Sequence, residues 1–163
     1  MAPGVQSAGV ASAKVLGLVY DVDGALQVGA VRRQWLWLRA MLSRAPCDRR
    51  SVLGMPWLVQ ELSAGREDAP VAYLTALPGT LAGPVGRLLA RDGYPPGRLL
   101  NARARVPRWP AGGGRRVKRA SLDRLLAAFP QVQWVLVGDD GGPDPALFAD
   151  LARRAPGLSL IHI

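Results

Sequence analysis

Along the chain, short runs of aliphatic and β-branched residues alternate with stretches in which apolar residues recur every three or four positions. The runs are short and end in turn residues. They predict strands at 15–20, 70–75, 97–103, 132–140 and 158–163. The intervening period predicts helices over 31–44, 55–64, 79–93, 117–129 and 144–155. Pro56 is tolerated near the start of its helix, Gly93 closes the next one, and Pro130 stops the fourth. "VPRWPAGGGRR" reads as a loop by composition. Strands alternating with helices predict an α/β fold, a three-layer sandwich with a parallel sheet, its first strand central and helices on both faces. Residues 1–14 read as a flexible lead-in and 15–163 as one domain, with no room between strands for a large cap domain.

The 163 residues are 49% hydrophobic and 20% charged, a globular composition. No apolar run reaches the ~18 residues of a membrane-spanning helix. The N-terminal "MAPGVQSAGVASAK" has neither the basic start nor the apolar centre of a signal peptide. Cys47 is the only cysteine, which excludes an internal disulfide and a cysteine zinc cluster and fits a reducing, cytoplasmic compartment. His162 is the only histidine and stands near the end of an apolar strand. Acid–base chemistry therefore falls to carboxylates.

A net charge of +9 calls for an anionic partner: nucleic acid, an anionic membrane surface or a phosphorylated substrate. Only Lys14 and Lys118 are lysines, and the abundance of arginine, alanine, glycine and proline also matches GC-rich coding. Charge alone names no partner. "RRVKR", 115–119, has no recognition motif or aromatic platform beside it, so nucleic acid is not expected. "AGGGR" lacks the G-K-[ST] ending of a phosphate-binding loop. Trp35 and Trp37, flanked by arginines, suit either a helix packed on the sheet or one lying on an anionic lipid surface.

Ligands of open parallel sheets bind beyond the carboxyl ends of the strands. There the first strand ends in Asp21-Val22-Asp23-Gly24, the second in Thr75, the third in Asn101, and the fourth in Asp139-Asp140-Gly141-Gly142 with Asp144 just beyond. Lys118 opens a predicted helix of about 12 residues, ~18 Å long. The strand after that helix climbs back a similar height, so Lys118 returns to the edge that carries the aspartates. Hard oxygen donors in a cluster suit Mg²⁺, and carboxylates, Mg²⁺, a hydroxyl and a lysine together cradle a phosphoryl group. In this reading Asp21 attacks phosphorus, while Asp23 protonates the leaving oxygen and then activates water. Thr75 and Lys118 bind the phosphoryl group. Asp139 is the favoured direct metal ligand, with Asp140 or Asp144 holding a metal-bound water, and Asp21 and Asp23 complete the metal site. An EF-hand is disfavoured because Ala25 stands at the fifth loop position.

The order D-x-D-G, strand threonine, helix lysine, G-D-D resembles the haloacid dehalogenase superfamily of aspartate phosphohydrolases, whose sheet is Rossmann-like. "LVYDVDGALQV", "PVAYLT", "YPPGRLL" and "RRVKRASLDRLLAAFPQVQWVLVGDDGGPDPALFADLARRAP" are similar to the catalytic domain of the actin-patch-type phosphatidate phosphatases, over roughly residues 15–163. The resemblance implies Mg²⁺-dependent hydrolysis of a phosphomonoester, a phosphatidate-like lipid at an anionic membrane surface, through an aspartyl-phosphate. A small-metabolite phosphatase, or a non-catalytic basic module on the same scaffold, stands as the alternative. Three positions depart from the family pattern. D-I-D-D-T is replaced by Asp21-Val22-Asp23-Gly24-Ala25, Ser followed by Gly or Thr by Thr75-Ala76, and the loop before the lysine is richer in glycine and arginine. Family members often carry an additional N-terminal domain, of which no counterpart is read in these residues.

Overall fold

The structure, a computed structural model, describes residues 15–25, 53–64, 70–102, 113–140, 144–155 and 159–162. The predicted helix 31–44 with Trp35 and Trp37, the lead-in 1–14 and Cys47 lie outside the described residues. The elements are β1 (Val15–Asp21), the short α1 (Val22–Ala25), α2 (Met55–Ser63), β2 (Val71–Pro78), α3 (Ala82–Arg91) entered through a 3-10 turn (Gly79–Leu81), β3 (Arg98–Ala102), α4 (Gly113–Ala128), β4 (Val132–Gly138), α5 (Asp144–Arg154) and β5 (Ser159–His162). All pairings are parallel, and the sheet order is β3-β2-β1-β4-β5, with β1 in the centre as expected.

A strand aims successive side chains at opposite faces, and β1 uses both. Leu18 and Tyr20 join Tyr73, Val59, Val85, Leu89 and Tyr94 in one core layer under α2 and α3. Val19 joins Leu74, Leu122, Trp134, Leu136, Leu147 and Phe148 in the other, under α4 and α5. Burial on both faces explains why the strands read as continuous apolar runs rather than alternating ones. The result is a three-layer sandwich. Among the described residues no helix is long and apolar enough to cross a membrane.

Gly17 pairs with Trp134 across β1 and β4. A methyl group there would lie 2.6 Å from two carbons of the Trp134 ring and 2.8 Å from Val132 Cγ1. Gly17→Ala is therefore expected to overpack this layer and destabilise the protein by about 1–3 kcal/mol, measured as a lower midpoint in urea with an unchanged slope.

Two boundaries depart from the sequence prediction and matter for the site. β2 runs three residues past Thr75, to Pro78, with a shift in its register against β3 between Leu74 and Pro78. α4 begins at Gly113, inside the stretch that composition assigns to a loop. Glycine is a poor helix former, and here packing overrides propensity. A methyl group on Gly114 would lie 3.3 Å from Ala76 Cβ, so the missing side chain lets the first turn of α4 close on the end of β2. Lys118 consequently sits in the second turn of its helix, not at its start.

Candidate active site

β1 delivers Asp21 as its last residue, with the side chain almost sealed (2% exposed). The chain turns at once into α1, and the Asp23 backbone N–H donates back to Asp21 Oδ1 at 3.3 Å. That turn brings the half-buried Asp23 toward β2. There Thr75 Oγ1 donates to Asp23 Oδ1 at 2.5 Å, and the Ala76 backbone N–H donates to Oδ2 at 2.8 Å. Thr75 Oγ1 in turn accepts the Leu77 N–H at 3.1 Å. Thr75 is fully buried, and its proton is spent on Asp23. Thr75, read from the sequence as a phosphoryl-binding hydroxyl, fixes the Asp23 carboxylate in this structure. The Ala76 amide, invisible to a search for side-chain chemistry, is an equal partner.

Lys118 crosses from α4 with 4% exposure. Its Nζ donates to Asp21 Oδ2 at 2.8 Å and to Asp144 Oδ1 and Oδ2 at 2.9 and 3.0 Å, and it lies 3.3 Å from Asp23 Oδ2. Asp144, the first residue of α5, is 1% exposed. The position just past β4 that Asp139 occupies is half-buried, and Asp140 beside it is exposed. Carboxylate oxygens of Asp21, Asp139 and Asp144 lie within 4.8 Å of one another, an arrangement that could hold a metal ion. Asp140 is not part of this group, and neither is Asp23, whose oxygens are held by β2. Asp139, the expected direct ligand, and Asp144 stand side by side in this group. Asn101, at the end of β3, lines a groove between β3 and α4 instead.

The electrostatics are unbalanced. Among the described residues, Asp21, Asp23, Asp139 and Asp144 gather around the one ammonium of Lys118. Burial pushes the Asp21 carboxyl well above the usual carboxylate range, and Asp144 and Asp23 push the same way against the opposing pull of Lys118. Asp139 is raised by burial and by Asp144. Burial works against the charge on Lys118, but Asp23, Asp21 and Asp144 together outweigh it and hold the ammonium more firmly than a free lysine. A site with this excess of negative charge, made only of hard oxygens, has the chemistry of a divalent-cation site.

The family model for the catalytic domain of phosphatidate phosphatase APP1 matches residues 16–163. No curated protein matches the chain. Among solved structures, a chain from the structure of a Pnkp1/Rnl/Hen1 complex is similar at a TM-score of 0.60 and 17% identity, over 93% of this chain and 47% of that one. This chain thus spans about half of that relative, and at this identity the likeness is one of fold.

Proposed function

The chain belongs to the family of the phosphatidate phosphatase APP1 catalytic domain, and on that premise we propose that it hydrolyses a phosphatidate-like phosphomonoester with Mg²⁺, through an acyl phosphate on Asp21. The observation that carries this reading is the division of labour between two aspartates one residue apart. Asp21 is buried beside Lys118, while Asp23 is half-buried and oriented by Thr75 and Ala76.

In the first half-reaction an oxygen of Asp21 forms a bond to phosphorus and the bond from phosphorus to the alcohol oxygen breaks. Asp23 gives a proton to that departing oxygen. In the second half-reaction Asp23, now a carboxylate, takes a proton from water as the water oxygen bonds to phosphorus. The Asp21–phosphorus bond breaks, and inorganic phosphate leaves. Lys118 places a fixed positive charge beside Asp21, where phosphoryl oxygens crowd a carboxylate. Thr75 and Ala76 keep Asp23 on the side of the leaving group and act as positioning groups. Asp21, Asp139 and Asp144 would hold Mg²⁺, which supplies charge neutralisation for the phosphoryl oxygens.

The test is a phosphatase panel containing para-nitrophenyl phosphate, soluble metabolite phosphates and phosphatidate in vesicles, with Mg²⁺ and with EDTA. The expected result is Mg²⁺-dependent release of phosphate with phosphatidate preferred. Turnover confined to soluble metabolites would move the substrate class. Vesicle binding with no turnover of any phosphomonoester would make the chain a non-catalytic module.

The metal has a readout that needs no substrate. A cation that binds only the folded protein stabilises it by ~2.7 kcal/mol at a hundred times its dissociation constant. Mg²⁺ is expected to raise the melting temperature, and Asp139→Asn to shift that response to higher Mg²⁺ concentrations. An Asp139→Asn response matching the parent's would remove Asp139 from the metal site.

A further inference from the structure

The buried face of α4 is a stripe of Lys118, Ser121, Leu122 and Leu125. Arg115 stands three residues before Lys118, one turn earlier on that stripe, by the 3.6-residue period. Lys118 is buried, yet Arg115 is exposed. Gly114, next to Arg115, packs on the end of β2. It abuts Ala76, one residue past the threonine that holds Asp23. The turn carrying Arg115 therefore lies beside the end of the cradle, about 4.5 Å further along the helix axis than Lys118, on the side from which a substrate enters.

Several other arginines of this surface have partners. Arg119 pairs with Asp150, Arg154 with Asp123 and Asp150, and Arg124 donates to the Ala120 carbonyl. Arg115 has no hydrogen bond or ion pair among the described residues. Arg116 is exposed as well, but lies on the opposite side of the helix from Lys118 by the same period.

We infer that Arg115 is a specificity-determining residue that binds an anionic oxygen next to the scissile phosphate, on its leaving-group side. A guanidinium fork matches phosphate oxygens in pairs, and one helical turn separates Arg115 from Lys118, which with Asp21 serves the reacting phosphorus. The anionic oxygen belongs either to a second phosphate of the same substrate molecule or to the headgroup of a neighbouring lipid. The inference rests on the phosphatase reading above.

The experiment compares the parent, Arg115→Ala and Arg115→Lys on three substrates with Mg²⁺. Para-nitrophenyl phosphate has no second anion, a soluble alkanediol bisphosphate carries one in the molecule, and phosphatidate in vesicles has one in each neighbouring headgroup. Arg87→Ala, at an exposed position of α3, controls for the loss of one positive charge. Arg115→Ala is expected to lower kcat/KM on the bisphosphate or the vesicles by about 10-fold relative to para-nitrophenyl phosphate, mainly through KM, as fits one charged hydrogen bond. Arg115→Lys should keep part of it. A loss on the bisphosphate assigns the anion to the substrate molecule, and a loss on vesicles alone assigns it to the surrounding lipid. An unchanged ratio, or an equal loss on all three substrates, overturns the inference.

If the parent turns over none of the three, the phosphatase reading fails, and the inference is read by binding instead. Sedimentation with phosphatidylcholine vesicles, with and without phosphatidate, then compares the parent with Arg115→Ala. A phosphatidate-dependent loss of about 10-fold supports the contact, and equal sedimentation overturns it.

Discussion

Asp21→Asn is expected to abolish turnover and, in the metal-free protein, to raise the melting temperature. An amide does not form the acyl phosphate that the mechanism requires. Removing the nucleophile of a covalent hydrolase costs ~10⁶ in kcat, so phosphate release should fall to background. The stability effect has a separate origin. The Asp21 carboxyl is nearly sealed and held above its ordinary range by burial, Asp144 and Asp23. The folded protein then binds more protons than the unfolded chain, so stability falls as the pH rises from the unfolded carboxyl value, ~3.9, toward the raised folded value, and the full loss stands above that value. The asparagine carries no such charge, keeps an oxygen that can accept from Lys118, and leaves Asp23 and Asp144 to neutralise the ammonium. Melting curves of the metal-free parent should therefore decline across this acidic window, while those of Asp21→Asn should be flatter and higher at neutral pH. Residual turnover within a few-fold of the parent would move the nucleophile elsewhere. A lower melting temperature would mean that the Asp21–Lys118 pair stabilises more than its burial destabilises.

The sheet, and the gathering of Asp21, Asp139, Asp144 and Lys118 at one edge of it, were legible because both follow from local patterns. Double-sided burial leaves apolar runs such as Val15–Tyr20 and Val132–Val137, and strand ends carry the polar residues that face a ligand. Depth and orientation were not legible. In Asp139-Asp140-Gly141-Gly142-Pro143-Asp144 three carboxylates stand close together, and nothing in their order says that the last is the most buried. Asp144 is sealed because α5 starts on it and Lys118 reaches it with both of its oxygens. Thr75 looked like a strand end facing a ligand. β2 in fact continues to Pro78, so the hydroxyl lies within the strand and serves Asp23. The start of α4 was hidden by glycines, whose propensity argues for a loop, although their missing side chains permit the contact with Ala76 that forms the turn. In each case a tertiary neighbour far along the chain decides what the local sequence leaves open.

Lys118 is expected to be both a catalytic and a structural charge, deeper in its helix than the sequence predicts. Lys118→Met should lower kcat by ~10²–10³, the loss of one preorganised charged contact in a sealed site. It should also destabilise the metal-free protein, because Asp21 and Asp144 are left buried without their counter-ion. Breaking a buried pair by removing one partner costs about 3–5 kcal/mol. Mg²⁺ separates the two effects. A divalent ion among Asp21, Asp139 and Asp144 replaces much of the lost positive charge, so the melting temperature of Lys118→Met should rise more on adding Mg²⁺ than that of the parent, while kcat stays low. Lys118→Arg should regain stability only in part and little activity. A planar fork does not fit where a compact ammonium touches Asp21 and both oxygens of Asp144 within 3.0 Å. The measurements are thermal melting with and without Mg²⁺ and steady-state turnover on both variants. An unchanged melting temperature without metal would show that the three carboxylates do not depend on this lysine, and an arginine variant as active as the parent would show that any cation at this position suffices.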